Sequence, residues 1–286
     1  MRKYHILLIL CTSNPAHVKD RTVIITGGSS GIGKACALRF AREGAKVVIA
    51  SRNATNLQKA TNELLAITPH VLMVVADVSV FTDCEKIIMS TLDRFGSIDI
   101  LINNAGISMR GLFSETKMEV FHQVLGTNFW GTVYCTKLAL PHLLKSRGSV
   151  VGISSIAGKK GLPGRSAYSA SKFAIEGFLE TVRTENLNNG LHVLIACPGF
   201  TTSGIRNAAL DANGAPQVTS PLDEQKMMPA SVVAECILNA VQHRQRDLVL
   251  TLTGKLTVLL NKFFPSFADR LLYRHFEKEP GSPFKH

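Results

Sequence analysis

Six cysteines are all that this chain of 286 residues carries, and no two of them stand in a C-x-x-C pair. Cys11, Cys36, Cys84, Cys135, Cys197 and Cys236 are scattered along the chain. That usage excludes a disulfide framework and a cysteine zinc site, and fits buried thiols in a reduced, cytoplasmic protein. The nine histidines also lack metal-ligand spacing, so no metal is expected. Long hydrophobic runs are missing as well. The N-terminal stretch "MRKYHILLILCTSNPAH" has an apolar run only from Ile6 to Cys11. It is shorter than a signal-peptide core and far below the roughly 20 residues that span a bilayer. Finger spacing, a basic helix and an aromatic RNA-binding signature are all absent, which argues against nucleic acid as a partner. Acidic residues are few: 21 Asp and Glu against 32 Lys and Arg leave a formal charge of +11. Such a balance suits an anionic ligand or an anionic membrane surface.

What is present is a rhythm. "TVIITG" (22–27), "KVVIAS" (46–51), "VLMVVA" (71–76), "DILINN" (99–104), "SVVGIS" (149–154) and "HVLIACP" (192–198) are β-branched runs of strand length. They lack polar alternation, as expected for strands buried on both faces of a parallel sheet. Helix-period segments such as 33–44 and 56–67 lie between them, so the expected architecture is α/β, a doubly wound parallel sheet. No repeat, low-complexity block or linker interrupts it, which predicts a single domain. Residues 201–229 break the rhythm with small and turn-forming residues, as a lid over a site does. A helix at 230–242 and an edge strand at 246–251 come next.

Two local patterns carry chemistry. "TGGSSGIGKA" continues directly from the first run, with Gly27, Gly31 and Gly33 opening a helix. Glycines there let a ligand's phosphates approach backbone N–H groups at the positive helix end. At the end of the second run, where an acid would bind free ribose hydroxyls, stand Ser51 and Arg52. A cation at that point suits the extra phosphate of NADP. The second pattern is Tyr168 and Lys172, four residues apart on one helix face. Such a pair is either a pair of surface neighbours, or a phenol beside an ammonium that eases its deprotonation.

The motifs "TGGSSGIG" (26–33), "ADV" (76–78), "NNAG" (103–106), "TNFWG" (127–131), "GISSIAG" (152–158), "YSASK" (168–172) and "CPGF" (197–200) appear in one order. Together they closely resemble the classical short-chain dehydrogenase/reductase family over about residues 20–250. The resemblance implies a Rossmann-type fold, NADP(H) as cofactor, and a catalytic set of Asn128, Ser155, Tyr168 and Lys172. Tyr168 would be the acid/base, with Lys172 lowering its pKa and holding the nicotinamide ribose. Ser155, rather than Ser154, would orient the substrate, and Asn128 would tie a water to the lysine. Cofactor contacts would run through Gly27, Ser29, Ser30, Gly31, Ile32 and Gly33, then Ser51, Arg52 and Asn53. Asp77 and Val78 would flank the adenine, and Asn104, Ala105 and Gly106 would lie along the ribose. Pro198 and Gly199 would open the nicotinamide pocket. The family usually continues with an aliphatic residue and a Thr, and here Thr201 and Ser203 occupy those places.

The implied activity is interconversion of a carbonyl and a secondary alcohol. The "SSIAGKKGLPG" stretch and the tail resemble the hydroxysteroid dehydrogenase and lipid-reductase branch. Reduction of a 3-oxoacyl thioester is the alternative within enzymes, and a non-catalytic dinucleotide-binding sensor or scaffold the alternative outside them. Met109, Phe113, Leu162 and Met227 are candidates for the substrate pocket. Segments 121–144 and 171–187 have apolar positions enough for a homodimer or homotetramer contact.

The ends of the chain complete the expectation. Residues 1–19 read as an N-terminal extension, 20–253 as the catalytic domain and 254–286 as a C-terminal helical tail. Pro265 should split the tail into two short amphipathic helices. Their apolar faces, edged by Lys255, Lys262, Arg270, Arg274 and Lys278, suit either a flap packed on a partner or peripheral contact with an anionic membrane.

Overall fold

The computed structural model describes residues 17–201, 205, 209–217, 227–279 and 281–284. The expected strands are present, each within two residues of its predicted ends. They are β1 (Thr22–Thr26), β2 (Lys46–Ser51), β3 (Val71–Val75), β4 (Ile100–Asn103), β5 (Ser149–Ile153), β6 (His192–Cys197) and β7 (Asp247–Val249). All pairings are parallel, in the order β3-β2-β1-β4-β5-β6-β7. The chain order therefore reverses between β1 and β4, and that reversal opens a crevice at the carboxyl ends of the strands.

Helices cover both faces. α1 (Gly31–Arg42), α2 (Ala54–Leu65) and α7 (Ala230–Gln242) bury Phe40, Leu64 and Ile237 against Val23, Ile25 and Ile49. On the other face α3 (Phe81–Phe95), α5 (Gly131–Lys145) and α6 (Ser166–Glu185) bury Ile87, Leu143 and Leu179 against Ile24, Val48 and Val150. Successive strand residues thus feed opposite cores, and this is why the strands show no polar alternation.

The segment 121–144 is not one continuous helix. α4 (Met118–Leu125) passes into α5 through one π-helical turn, Gly126–Trp130. A π turn inserts a residue into the ladder and rotates α5 relative to α4, and Asn128 sits in it.

The tail forms the two helices that Pro265 predicts, α8 (Leu252–Phe263) and α9 (Pro265–Glu277). α8 starts before the expected boundary, with Thr251 accepting a capping bond from Gly254 N at 3.1 Å. The tail packs on the domain. Asn261 donates to the Lys159 carbonyl at 3.2 Å, and Lys160 pairs with Asp269. Beyond α9, the buried Glu279 meets Arg110 at 3.3 Å and Arg165 at 3.9 Å.

Candidate active site

A cavity of about 860 Å³ occupies the crevice at the carboxyl ends of the strands. One end is the glycine turn. Gly27 has φ +66°, a conformation that favours glycine, and a Cβ there would lie 2.9 Å from the Ala105 Cα. Gly27, Ser29, Ser30, Gly31 and Ile32 line the cavity, and Ser30, the N-cap of α1, makes no side-chain capping bond. The first N–H groups of α1 are thus a ready anion site. Gly33 departs from the expected cofactor contact. It is buried outside the cavity lining, where a Cβ would strike the Gly27 carbonyl oxygen. Its part is close packing of helix on turn.

Ser51, Arg52 and Asn53 line the same end, with Ser51 Oγ and Ser29 Oγ 2.9 Å apart. The Arg52 side chain is half exposed and meets Asp77 at only 3.5 Å. Asp77 itself holds Ser79 N at 2.9 Å and Ser79 Oγ at 2.8 Å, and Val78 lines the cavity beside it. Asn104, Ala105 and Gly106 follow the cavity wall, but the Asn104 amide is engaged with the Thr26 and Gly27 carbonyls at 2.9 and 3.2 Å. It ties β4 to the glycine turn. This donor set fits a dinucleotide: an uncapped helix start for pyrophosphate, hydroxyls, and a cation in place of an acid at the end of β2. Pro198, Gly199 and Thr201 close the far wall, while Ser203 lies outside the described residues.

At the centre, α6 presents Tyr168 half-buried and Lys172 with only 4% exposure. That burial rules out a surface pair. Lys172 Nζ donates to the Ile153 carbonyl at 2.7 Å and lies 5.6 Å from the Tyr168 ring centre. Burial pulls its pKa down from 10.5 to about 8, with Cys197 and Glu176 opposing the shift. Ser155 caps a short 3-10 turn, its Oγ accepting from Ala157 N at 3.2 Å, and faces the cavity. The adjacent Ser154 hydroxyl instead donates to Glu176 at 2.7 Å.

Asn128 is fully buried and outside the cavity lining. Its Oδ1 accepts from Ile107 N at 2.8 Å, and its Nδ2 donates to the Ile107 carbonyl and Ser171 Oγ at 3.0 and 2.9 Å. It braces the loop after β4 against α6. Gly106 separates it from the lysine: a Cβ there would meet Asn128 Oδ1 at 3.2 Å and Lys172 Nζ at 3.7 Å.

Of the four candidate pocket residues, only Leu162 lines the cavity. Met109 is buried in a separate cluster with Val120 and Leu210, Met227 is buried elsewhere, and Phe113 is exposed. Sequence reading missed the tail's contribution. Thr257, Leu271, Leu272, His275 and Phe276 form the outer wall, reached only because α8 and α9 fold back over the crevice. The signal available was the apolar period of the tail, which does not say against what it packs. Among the described residues no cluster of His, Cys, Asp or Glu could hold a metal ion.

Comparison with known proteins agrees with this geometry. A family model described as short chain dehydrogenase matches residues 21–214. Dehydrogenase/reductase SDR family member 7B of Rattus norvegicus is 34% identical over 283 residues, spanning 96% of this chain and 87% of its own. The 11-beta-hydroxysteroid dehydrogenase A of Arachis hypogaea is 35% identical over 278 residues, 93% of this chain and 78% of that protein. A short chain dehydrogenase/reductase from Burkholderia phymatum, solved in complex with NAD, superimposes with a TM-score of 0.80. It covers 88% of this chain and 96% of that one at 24% identity, a likeness of fold.

The buried lysine makes a prediction of its own. Between about pH 8 and 10.5 the unfolded chain holds a proton that folded Lys172 has released, so this group adds stability as pH rises through that window. Below pH 8 both states are charged and the linkage is flat. Lys172→Met removes it. Urea unfolding should show native-minus-variant stability increasing from pH 8 to pH 10. A difference that is constant with pH would contradict the assignment.

Proposed function

Because this chain belongs to the short-chain dehydrogenase/reductase family, we propose that it interconverts a carbonyl and a secondary alcohol using NADP(H), on a hydrophobic, steroid- or lipid-like substrate. The observation that carries the reading is Lys172, buried beneath Tyr168 at the wall of a cavity that reaches the glycine turn. A bound nicotinamide supplies or accepts the hydride. In the reducing direction the Tyr168 hydroxyl gives its proton to the carbonyl oxygen, which the Ser155 hydroxyl holds by a hydrogen bond. The Lys172 ammonium stabilises the phenolate left behind and offers its remaining N–H donors to ribose hydroxyls. Arg52 would pair with a 2′-phosphate, exchanging its long contact with Asp77 for a charge-assisted one. Leu162, Leu271, Leu272 and Phe276 give the outer cavity an apolar wall, which supports the hydrophobic substrate.

The tail supports a second element of the reading, contact with an anionic membrane. Leu252, Leu256, Leu259 and Phe263 recur at i, i+4, i+7 and i+11 along α8, and all are exposed. Phe264, Phe267 and Leu271 continue the stripe along α9. Exposed Lys255, Lys262, Arg270 and Arg274 flank it, and among the described residues no helix is long and apolar enough to cross a membrane. An apolar stripe beside cations is the pattern of an interfacial helix pair. The same α9 lines the cavity, so lipid-borne carbonyls would reach the site from the surface that holds them. Assembly into a homodimer or homotetramer is the other use of exposed apolar surface. Trp130 and Phe173, exposed beside α5 and on α6, fit that role.

NADPH should be preferred over NADH, and Arg52→Ala should remove about ten- to a hundredfold of that preference. Equal use of both cofactors by the native chain would contradict it. In a screen of steroid and lipid ketones, Tyr168→Phe should keep NADPH binding and cut turnover by about 10²–10⁴-fold. Near-native rates would refute the acid/base role. The native chain should float with anionic vesicles at low salt, and Leu256→Glu with Phe263→Glu should abolish flotation. If the native chain stays with the soluble fraction while light scattering reports an oligomer that the double variant dissociates, the stripe is a self-association surface instead.

A further inference from the structure

Tyr168 and Lys172 have a third companion on the same face of α6. Glu176 lies four residues beyond Lys172 and is only 6% exposed. It is fully engaged. Oε1 accepts from Ser154 Oγ at 2.7 Å and from Cys197 Sγ at 3.4 Å, and Oε2 pairs with Lys159 Nζ at 2.6 Å. Each partner adjoins a residue of the site. Ser154 precedes Ser155, Cys197 precedes Pro198 and Gly199, and Lys159 ends the 3-10 turn (Ile156–Gly158) that Ser155 caps. There is no spare room in the cluster: a Cβ at Gly158 would lie 2.5 Å from Ser154 Oγ and 2.6 Å from Glu176 Oε1.

Burying a carboxylate carries a heavy desolvation penalty unless its lone pairs and charge are met. An apolar residue here would pack α6 on β5 and β6 without that penalty. The geometry therefore points to a task that apolar packing does not perform. We propose that Glu176 is a positioning residue of the site: it fixes Ser155 and the Pro198–Gly199 turn relative to α6, and places a carboxylate one helical turn from the buried Lys172. This rests on the functional reading above.

Several groups face the Lys172 ammonium. Tyr168 and Glu176 approach it from α6 and Cys197 from the end of β6, while Lys159, from the turn after β5, pairs with Glu176. The loop after β4 brings Gly106 and the π turn brings Asn128, neither of which is charged. Burial pushes the Cys197 thiol up to about 12, so it stays neutral over the working range. Burial draws Lys159 down, but its hydrogen bond to Glu176, added to the attraction of that carboxylate and of neighbouring groups, holds it above its ordinary value. Glu176 and Lys159 form the ion pair of the group. Burial pulls Lys172 toward neutrality; Cys197 and Glu176 oppose it, and with the thiol neutral the carboxylate is the charge that does so. A neutral Lys172 could neither stabilise a phenolate nor attract an anionic cofactor.

The test separates charge from packing by using two substitutions of opposite sign. NADPH affinity is measured by fluorescence from pH 6 to 10 on the full chain. For the native protein it should fall as Lys172 loses its proton, near pH 8. Glu176→Gln keeps an oxygen for Ser154 but removes the anion, and should move that fall to lower pH by about one unit. Lys159→Met removes the cation paired with Glu176, leaves the carboxylate's charge unbalanced, and should move the fall to higher pH. A purely structural Glu176 would weaken binding equally at all pH values, or move both variants in the same direction, and either result overturns the proposal. If Glu176→Gln does not fold, the Lys159→Met shift alone decides: an unmoved or downward shift overturns it. Absence of NADPH binding by the native chain would instead overturn the functional reading, and this inference with it.

Discussion

An ammonium group shut away from water is the constraint on which the site depends. Lys172 gives one N–H to the Ile153 carbonyl at 2.7 Å, and burial draws its pKa to about 8. Holding a charge there requires the end of β5, the start of α6 and the loop after β4 to meet at fixed distances. Three features secure this. The π turn directs Asn128 into the loop after β4, where it bonds both backbone groups of Ile107 and the hydroxyl of Ser171, next to Lys172. Thr26 Oγ1 accepts from Asn104 N and Ala105 N at 3.0 and 3.1 Å, joining the glycine turn to the same loop. Glu176 holds the ends of β5 and β6. The polar groups that look scattered in sequence are braces around one lysine.

The tail adds a second constraint from the other side. Its helices contribute little to the sheet cores, yet they supply one wall of the cavity and rest on the turn that begins at Ser155. The buried Glu279, with Arg110 and Arg165, pins the far end, and the Arg165 guanidinium also lies 5.7 Å from the centre of the Phe276 ring. A buried ion pair is a poor source of net stability but a good means of fixing one geometry. The exposed apolar stripe and the cavity wall therefore belong to the same helices, and Leu271 is part of both. Whatever covers the stripe lies against a wall of the cavity.

Much of this was legible in the sequence because the signals are local. β-branched runs without polar alternation marked strands between two helical layers, and the sheet has that form. Glycines between the first strand and first helix marked the turn, and Pro265 marked the break in the tail, where it begins α9. The site residues that were missed depend on contacts distant in sequence. Leu272 and Phe276 reach the cavity across more than a hundred residues, and the amphipathic period of α9 names no partner. The π turn carries no residue signature, so nothing in 121–144 announces the break between α4 and α5. Gly33 was grouped with the cofactor contacts because spacing identifies a motif without dividing its labour, and only the closeness of Gly27 reveals its packing role. In sequence Glu176 is a polar position on a helix, and only the fold brings Ser154, Lys159 and Cys197 onto it.

The central claim is that Lys172 is buried, polarised and next to Tyr168. Lysine side chains labelled at Cε can be titrated individually by NMR in the full chain. The account predicts one resonance that titrates near pH 8, well apart from the other lysines, and is lost in Lys172→Met. If every lysine titrates together near its ordinary value of about 10.4, Lys172 is solvated and the account of the site fails.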